Sequence, residues 1–174
     1  ITVTVFSSRP VPARGAITLT VGQADDGGEA LETRVLSVDL PAGESTHEID
    51  LGVGEPRLWN LDDPYLYRLM TSVEEADGAA HLHAIRIGFR ELRVVDGYFE
   101  LNGKRIFLKS THTGNHQPIG ANVPIIADFV RRDLIFAKAS GFNMVRFISG
   151  TAYPEQLDFC DALGLMVYEE SLAA

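Results

Sequence analysis

The chain has 174 residues, 45% of them hydrophobic and 22% charged, which is the mixture of a globular protein with a packed core and not of a disordered or collagen-like one. Its formal charge of −9, with scattered basic residues, sets nucleic acid and anionic membrane surfaces aside as partners, because both need clustered Lys and Arg. No apolar run approaches the roughly 20 residues that cross a bilayer, and a single cysteine, Cys160, excludes an intrachain disulfide.

From Ile1 to about Arg90 the hydrophobic pattern has period two. Ile1, Val3 and Val5 form one set, Ile17, Leu19 and Val21 a second, Leu36, Val38 and Leu40 a third, and Ile85, Ile87 and Phe89 a fourth. Each set is one face of a half-buried strand. Turn clusters lie between them at Ser7-Ser8-Arg9-Pro10, Asp25-Asp26-Gly27-Gly28, Pro41-Ala42-Gly43-Glu44 and Asp77-Gly78, spaced to close antiparallel hairpins. Several short strands in about 90 residues predict an immunoglobulin-like sandwich over residues 1–92. The chain opens inside a strand, which leads us to expect residues before Ile1.

The rhythm changes near Phe99. Phe99 to Leu101 reads as a strand, Asn102-Gly103 as a type I′ turn, and Lys104 to Leu108 as a second strand that becomes a continuous apolar run. A helical period follows, with Ile126, Phe129, Val130, Leu134 and Ala137 on one face and Asp128, Arg131 and Lys138 away from it; Gly141 stops it. Phe142 to Ile148 is a second buried strand. Pro154 opens a second helix with Leu157, Cys160 and Leu163 on its inner face and Gly164 as its cap, and Leu165 to Tyr168 is a third strand. Strand, helix, strand, helix, strand predicts two successive βαβ units with parallel pairing over residues 93–174. Periodicity alone leaves a small doubly wound sheet and the beginning of a (β/α)₈ barrel equally open. A barrel here would be incomplete, since a whole one takes about 250 residues.

Three passages carry a family resemblance. They are Leu58-Trp59-Asn60-Leu61-Asp62-Asp63-Pro64-Tyr65-Leu66-Tyr67, then Ile87-Gly88-Phe89-Arg90 with Asp96-Gly97-Tyr98-Phe99 and Leu101-Asn102-Gly103-Lys104. The third is Gly141-Phe142-Asn143-Met144-Val145-Arg146 with Tyr153-Pro154 and the stretch from Cys160 to Glu170. In this order they resemble glycoside hydrolase family 2. The resemblance implies an immunoglobulin-like sandwich followed by the first three strands and two helices of a (β/α)₈ barrel. It also implies retaining hydrolysis of β-linked sugars, with active-site residues at the C-terminal ends of barrel strands. It implies a carbohydrate substrate and no cofactor for the parent enzyme, and leaves self-association open.

The resemblance also assigns roles. The two catalytic glutamates of the family come from the fourth and seventh barrel strands, so neither is expected in this chain, and Glu169 and Glu170, as strand neighbours, point to opposite faces. Arg146 matches the arginine that holds the ionised nucleophile, by a charge-assisted hydrogen bond. Glu170, at the end of the third strand, is expected at the barrel mouth, to bind a sugar hydroxyl or to pair with Arg146. His112, Asn115 and His116, in the loop after the first barrel strand, are candidates for substrate contacts, although Gly114 stands where the family's histidine would fall. No metal site is expected: Gly114, Asn115 and Pro118 oppose a helix that would join His112 to His116, and His81 and His83 read as solvated strand residues. The histidine usual between Arg146 and Pro154 is missing, and Ala174 stands where a magnesium-binding glutamate would be.

Two rival readings fit the same residues. In one, the sandwich binds carbohydrate or a partner without catalysis, which would need an exposed aromatic platform; Trp59, the single tryptophan, reads as packed instead. In the other, a barrel relative has lost catalysis.

Overall fold

The computed structural model describes residues 1–24, 28–115, 127–148 and 150–170, and divides into two compact units. The first comprises Ile1–Pro56 and Leu66–Ile87, the second Arg57–Tyr65 and Gly88–Ala174. The excursion Arg57–Tyr65 therefore lies inside the sandwich stretch in sequence and belongs in space with the later residues.

The first unit is an antiparallel sandwich. Strands β1 (Thr2–Ser7) and β4 (Gly43–Glu48) form a two-stranded sheet, while β3 (Ala30–Leu40), β2 (Ala13–Gln23), β5 (Tyr67–Glu75) and β6 (Ala80–Ile87) form a four-stranded one in that order. The alternation dictates the core: Ile17, Leu19 and Val21 of β2 pair across β5 with Val73, Thr71 and Leu69, and this face is buried with Val38, Leu40, Ile49 and Tyr67. Two of the expected hairpin turns have another job. The chain passes from one sheet to the other at residues 8–12 and at Pro41-Ala42, because β2 pairs with β3 and β5 while β1 pairs with β4. Asp77-Gly78 closes the β5–β6 hairpin as expected, with Gly78 at φ +90°. Asp25, Asp26 and Gly27 lie outside the described residues. Phe89 falls beyond the end of β6. His81 and His83 do share one face, opposite Val73 and Thr71, and both are exposed.

The second unit opens with a small meander, β7 (Leu92–Val95), β8 (Tyr98–Leu101) and β9 (Lys104–Arg105). Two turns with positive φ at both central residues, Asp96-Gly97 (50° and 81°) and Asn102-Gly103 (52° and 73°), give the type I′ geometry that matches the strand twist. The strand expected from Lys104 to Leu108 is corrected here: pairing stops at Arg105, and the apolar residues 106–108 are irregular. The first parallel strand is instead the polar β10 (Ser110–Thr113). Asn143 fixes its start, accepting from Lys109 N at 2.8 Å and donating to Phe107 O at 2.8 Å through its side-chain amide.

Helix α1 (Ala127–Ala139), strand β11 (Met144–Phe147), helix α2 (Pro154–Leu163) and strand β12 (Met166–Glu169) complete two βαβ units, and β10, β11 and β12 pair in parallel. The core of this unit joins Leu134 and Ala137 of α1, Val145 and Phe147 of β11, Cys160 of α2 and Leu165. Ile126 lies outside the described residues. Two side chains depart from the expected faces. In α2, Gln156 is buried and Leu157 is exposed. In α1, Lys138 does not look to water: its ammonium donates to the carbonyls of Leu61 and of Gly164, the latter at 3.0 Å.

Trp59 explains why the three family-like passages travel together. Its ring is buried and Nε1 donates to Asp161 O at 2.7 Å, while Trp59 N donates to Phe89 O at 2.8 Å. The Arg90 guanidinium sits 4.9 Å from its ring centroid. Asn102 donates to Trp59 O at 3.0 Å. Gly164, at φ +71°, has Leu61 O where a Cβ would stand, only 2.1 Å away, so no other residue fits without displacing the Arg57–Tyr65 segment.

Candidate active site

The register of the parallel sheet sets the site. His112, Arg146 and Tyr168 are partners across β10, β11 and β12, so their side chains share one face, and alternation puts Val145, Phe147, Val167 and Glu169 on the other, against the helices. All three emerge towards the C-terminal ends of parallel strands, the end where a barrel carries its chemistry.

Glu170 continues β12 by one residue, with its N–H donating to Phe147 O, and returns to the face of Arg146. The Arg146 guanidinium donates to Glu170 Oε1 through Nε at 2.7 Å and through Nη2. The arginine side chain is half exposed, at 50%, and the glutamate 24% exposed. The Arg146 guanidinium carbon lies 5.6 Å from the Tyr168 ring centroid. In this arrangement a fixed cation faces the inner side of the sheet, oriented by one carboxylate and an aromatic ring, with its remaining donors able to reach a further anion.

Glu169 does something different. Its Oε1 accepts Ala152 N at 2.7 Å, on the helix side, and so secures the connection between β11 and α2. With Glu169 and Glu170 on opposite faces, the two are not an acid/base and nucleophile couple, which needs carboxyl groups about 5 to 5.5 Å apart.

Of the expected loop residues, His112 is exposed beside Arg146 in register. Asn115 turns elsewhere: its amide exchanges two hydrogen bonds with Gln156, at 3.2 and 2.8 Å. His116, with Gln117 and Pro118, lies outside the described residues, as does Ala174. Sequence reasoning missed Tyr168, Gln156, Asn143 and Lys138. Tyr168 was legible from the alternation once Arg146 was placed, whereas the other three depend on pairings that only the fold reveals. Among the described residues no group of three or more His, Cys, Asp or Glu side chains is placed to hold a metal ion. Cys160 is buried on α2; burial, with the Asp161 charge adding, pushes its thiol from an ordinary 9.0 up to about 12, so it is an inert core residue and not a nucleophile.

An antiparallel sandwich followed in sequence by βαβ units with an arginine–carboxylate pair at the strand ends describes the sandwich-and-barrel class. Comparison with known proteins narrows it. Residues 1–90 match the model of glycosyl hydrolases family 2, and residues 92–173 match the model of its TIM barrel domain. The chain belongs to glycosyl hydrolases family 2, and the choice between a doubly wound sheet and a barrel falls to the barrel. A β-galactosidase of Photobacterium profundum is 36% identical over 123 residues, which is 70% of this chain and 12% of that protein. Among solved structures, β-glucuronidase 2 of Bacteroides uniformis aligns with TM-score 0.81 and 27% identity over 97% of this chain and 20% of its own. A β-glucuronidase of Parabacteroides merdae aligns with TM-score 0.78 and 26% identity over 97% of this chain and 23% of its own. The chain thus spans a quarter or less of the length of each of these relatives.

Proposed function

We propose that these residues are the sandwich and the opening of the catalytic barrel of a retaining β-glycosidase that hydrolyses β-linked glycosides, among them galactosides and glucuronides. The observation that carries the reading is the Arg146–Glu170 pair on the inner face of the parallel strands, level with His112. The sandwich gives way to the barrel domain near residue 92. Arg146 is the residue that orients the ionised nucleophile; Glu170 holds Arg146 in place and is the candidate to bind a sugar hydroxyl, and His112 contacts substrate beside them. Asn115 serves by shaping the loop. On this reading the acid/base and nucleophile lie outside these 174 residues, since the family resemblance puts the two glutamates on the fourth and seventh barrel strands, and Glu169 and Glu170 turn to opposite faces.

The experiment is hydrolysis of a panel of nitrophenyl β-glycosides by the complete protein that carries this chain and by residues 1–174 alone. Turnover with retained anomeric configuration by the former only is the expected result. Turnover by residues 1–174, lost on replacing a glutamate within them, would overturn the placement of the active site. The binding reading has lost its best residue, since Trp59 is buried and offers no face to a sugar.

A further inference from the structure

We propose that Gln156 is a positioning residue of the active site, acting through Asn115 on the turn by which the chain leaves the first barrel strand beside His112. The proposal rests on the glycosidase reading above and names a device within that site.

Among the described residues Gln156 is the only buried side chain that is an amide, an aliphatic hydroxyl or charged, 2% exposed at the third residue of α2. A primary amide loses several hydrogen bonds to water on burial, so it stays only where partners replace them. Here Oε1 accepts Tyr153 N at 3.0 Å and the Asn115 side-chain amide at 3.2 Å, while Nε2 donates to Asn115 Oδ1 at 2.8 Å. Asn115 in turn sits at φ +55°, with its own N–H donating to Thr113 Oγ1 at 3.2 Å. An asparagine tolerates that left-handed conformation better than most residues, and the paired amide holds it there. The turn at Asn115 is where the chain leaves β10, three residues after His112.

The clasp is one link of a longer lacing. Glu169, at the end of β12, secures Ala152; the next residue, Tyr153, is bound to Gln156; Gln156 is bound to Asn115. The ends of three adjacent parallel strands are thereby tied on the helix side while Arg146 and Glu170 close on the inner side. A reacting group misplaced by about 1 Å loses on the order of 10²-fold in rate, so a strand end at Thr113–Asn115 held by a buried, mutually satisfied amide pair preserves geometry that a solvated turn would not. An apolar residue at 156 would pack as well against the core and leave Asn115 without its partner.

The test uses the complete enzyme with Asn115→Ala, Gln156→Leu and the double variant. Each single change should lower kcat/KM about ten-fold, and the double should lose no more than either single, because both remove the same clasp. Asn115→Asp adds a signature that general destabilisation does not mimic. Its introduced carboxylate repels Gln156 Oε1, but once protonated it donates to that oxygen, so activity relative to wild type should rise as pH falls. Backbone amide exchange at residues 113–115 should quicken in Gln156→Leu whether or not a substrate is known. Additive losses, kcat/KM within two-fold of wild type, a flat relative pH profile or unchanged exchange each overturn the clasp. A wild-type enzyme that turns over no β-glycoside overturns the glycosidase reading instead, and the exchange measurement then judges the clasp alone.

Discussion

Arg146 and Glu170 leave neighbouring parallel strands on the same face, and two N–H groups of the one meet a single oxygen of the other. With the arginine half exposed, such a pair contributes only about 0–1 kcal/mol to folding. On the glycosidase reading its value lies in orientation. In the complete enzyme Arg146→Ala should therefore leave thermal stability almost unchanged and lower kcat by about 10²-fold, with a smaller change in KM. A variant with unchanged kcat and raised KM would make Arg146 a binding residue.

Gly164→Ala should be the most damaging conservative change in the second unit. The left-handed φ of +71° costs a Cβ-bearing residue energy by itself, and the methyl would stand 2.1 Å from Leu61 O. A loss of about 3 kcal/mol or more is expected. Trp59 is the single tryptophan and is buried in this unit, so its fluorescence during urea unfolding reads the change directly.

Lys138→Met keeps the length and apolar stem of the side chain and removes the ammonium. The carbonyls of Leu61 and Gly164 then lose their shared donor. A loss of about 1–3 kcal/mol is expected in the transition that Trp59 reports, whereas Lys104→Met, at an exposed position of β9, should change it by less than about 0.5 kcal/mol.

Cys160 sets a pH dependence at the alkaline side. Below about pH 9 the thiol is protonated in folded and unfolded chains alike; between there and about 12 the unfolded chain releases the proton and the folded one keeps it. The folded state then binds more protons, so stability falls as pH rises through this window, by up to about 1.4 kcal/mol per pH unit. Cys160→Ala should flatten that slope, and in the native protein the thiol should react with an aromatic disulfide reagent only as fast as the unit unfolds.

The residues differ in how far the sequence revealed them. The parallel arrangement, the two helices, the Asn102-Gly103 turn and the opposition of Glu169 to Glu170 all follow from periodicity, and each is present. Strand β4 was hidden because its inward positions are Ser45 and His47, which pair with one another at 3.1 Å and give no apolar alternation. Strand β10 was hidden for a related reason: the apolar run at 106–108 resembles a buried strand, while the side-chain amide of Asn143, bonded to the backbone of Phe107 and Lys109, places the pairing two residues later, on Ser110 to Thr113. The Arg146–Glu170 pair was legible because strand parity fixes it. The Gln156–Asn115 pair was not, since 41 residues separate its members and both types usually read as surface polar residues.

Trp59 and Asp161 are hydrogen-bonded across 102 residues of sequence. During synthesis the tryptophan segment leaves the ribosome long before the helix that receives it, at about 5–20 residues per second, so for several seconds or more its indole has no partner in this unit. The same separation bears on dissection. A piece beginning at Gly88 would carry every barrel strand described here yet lack Trp59 and Leu61, leaving an apolar slot beside α2 open and Lys138 short of an acceptor. Any attempt to express the barrel separately must bring residues 57–65 with it, by circular permutation or as an added peptide.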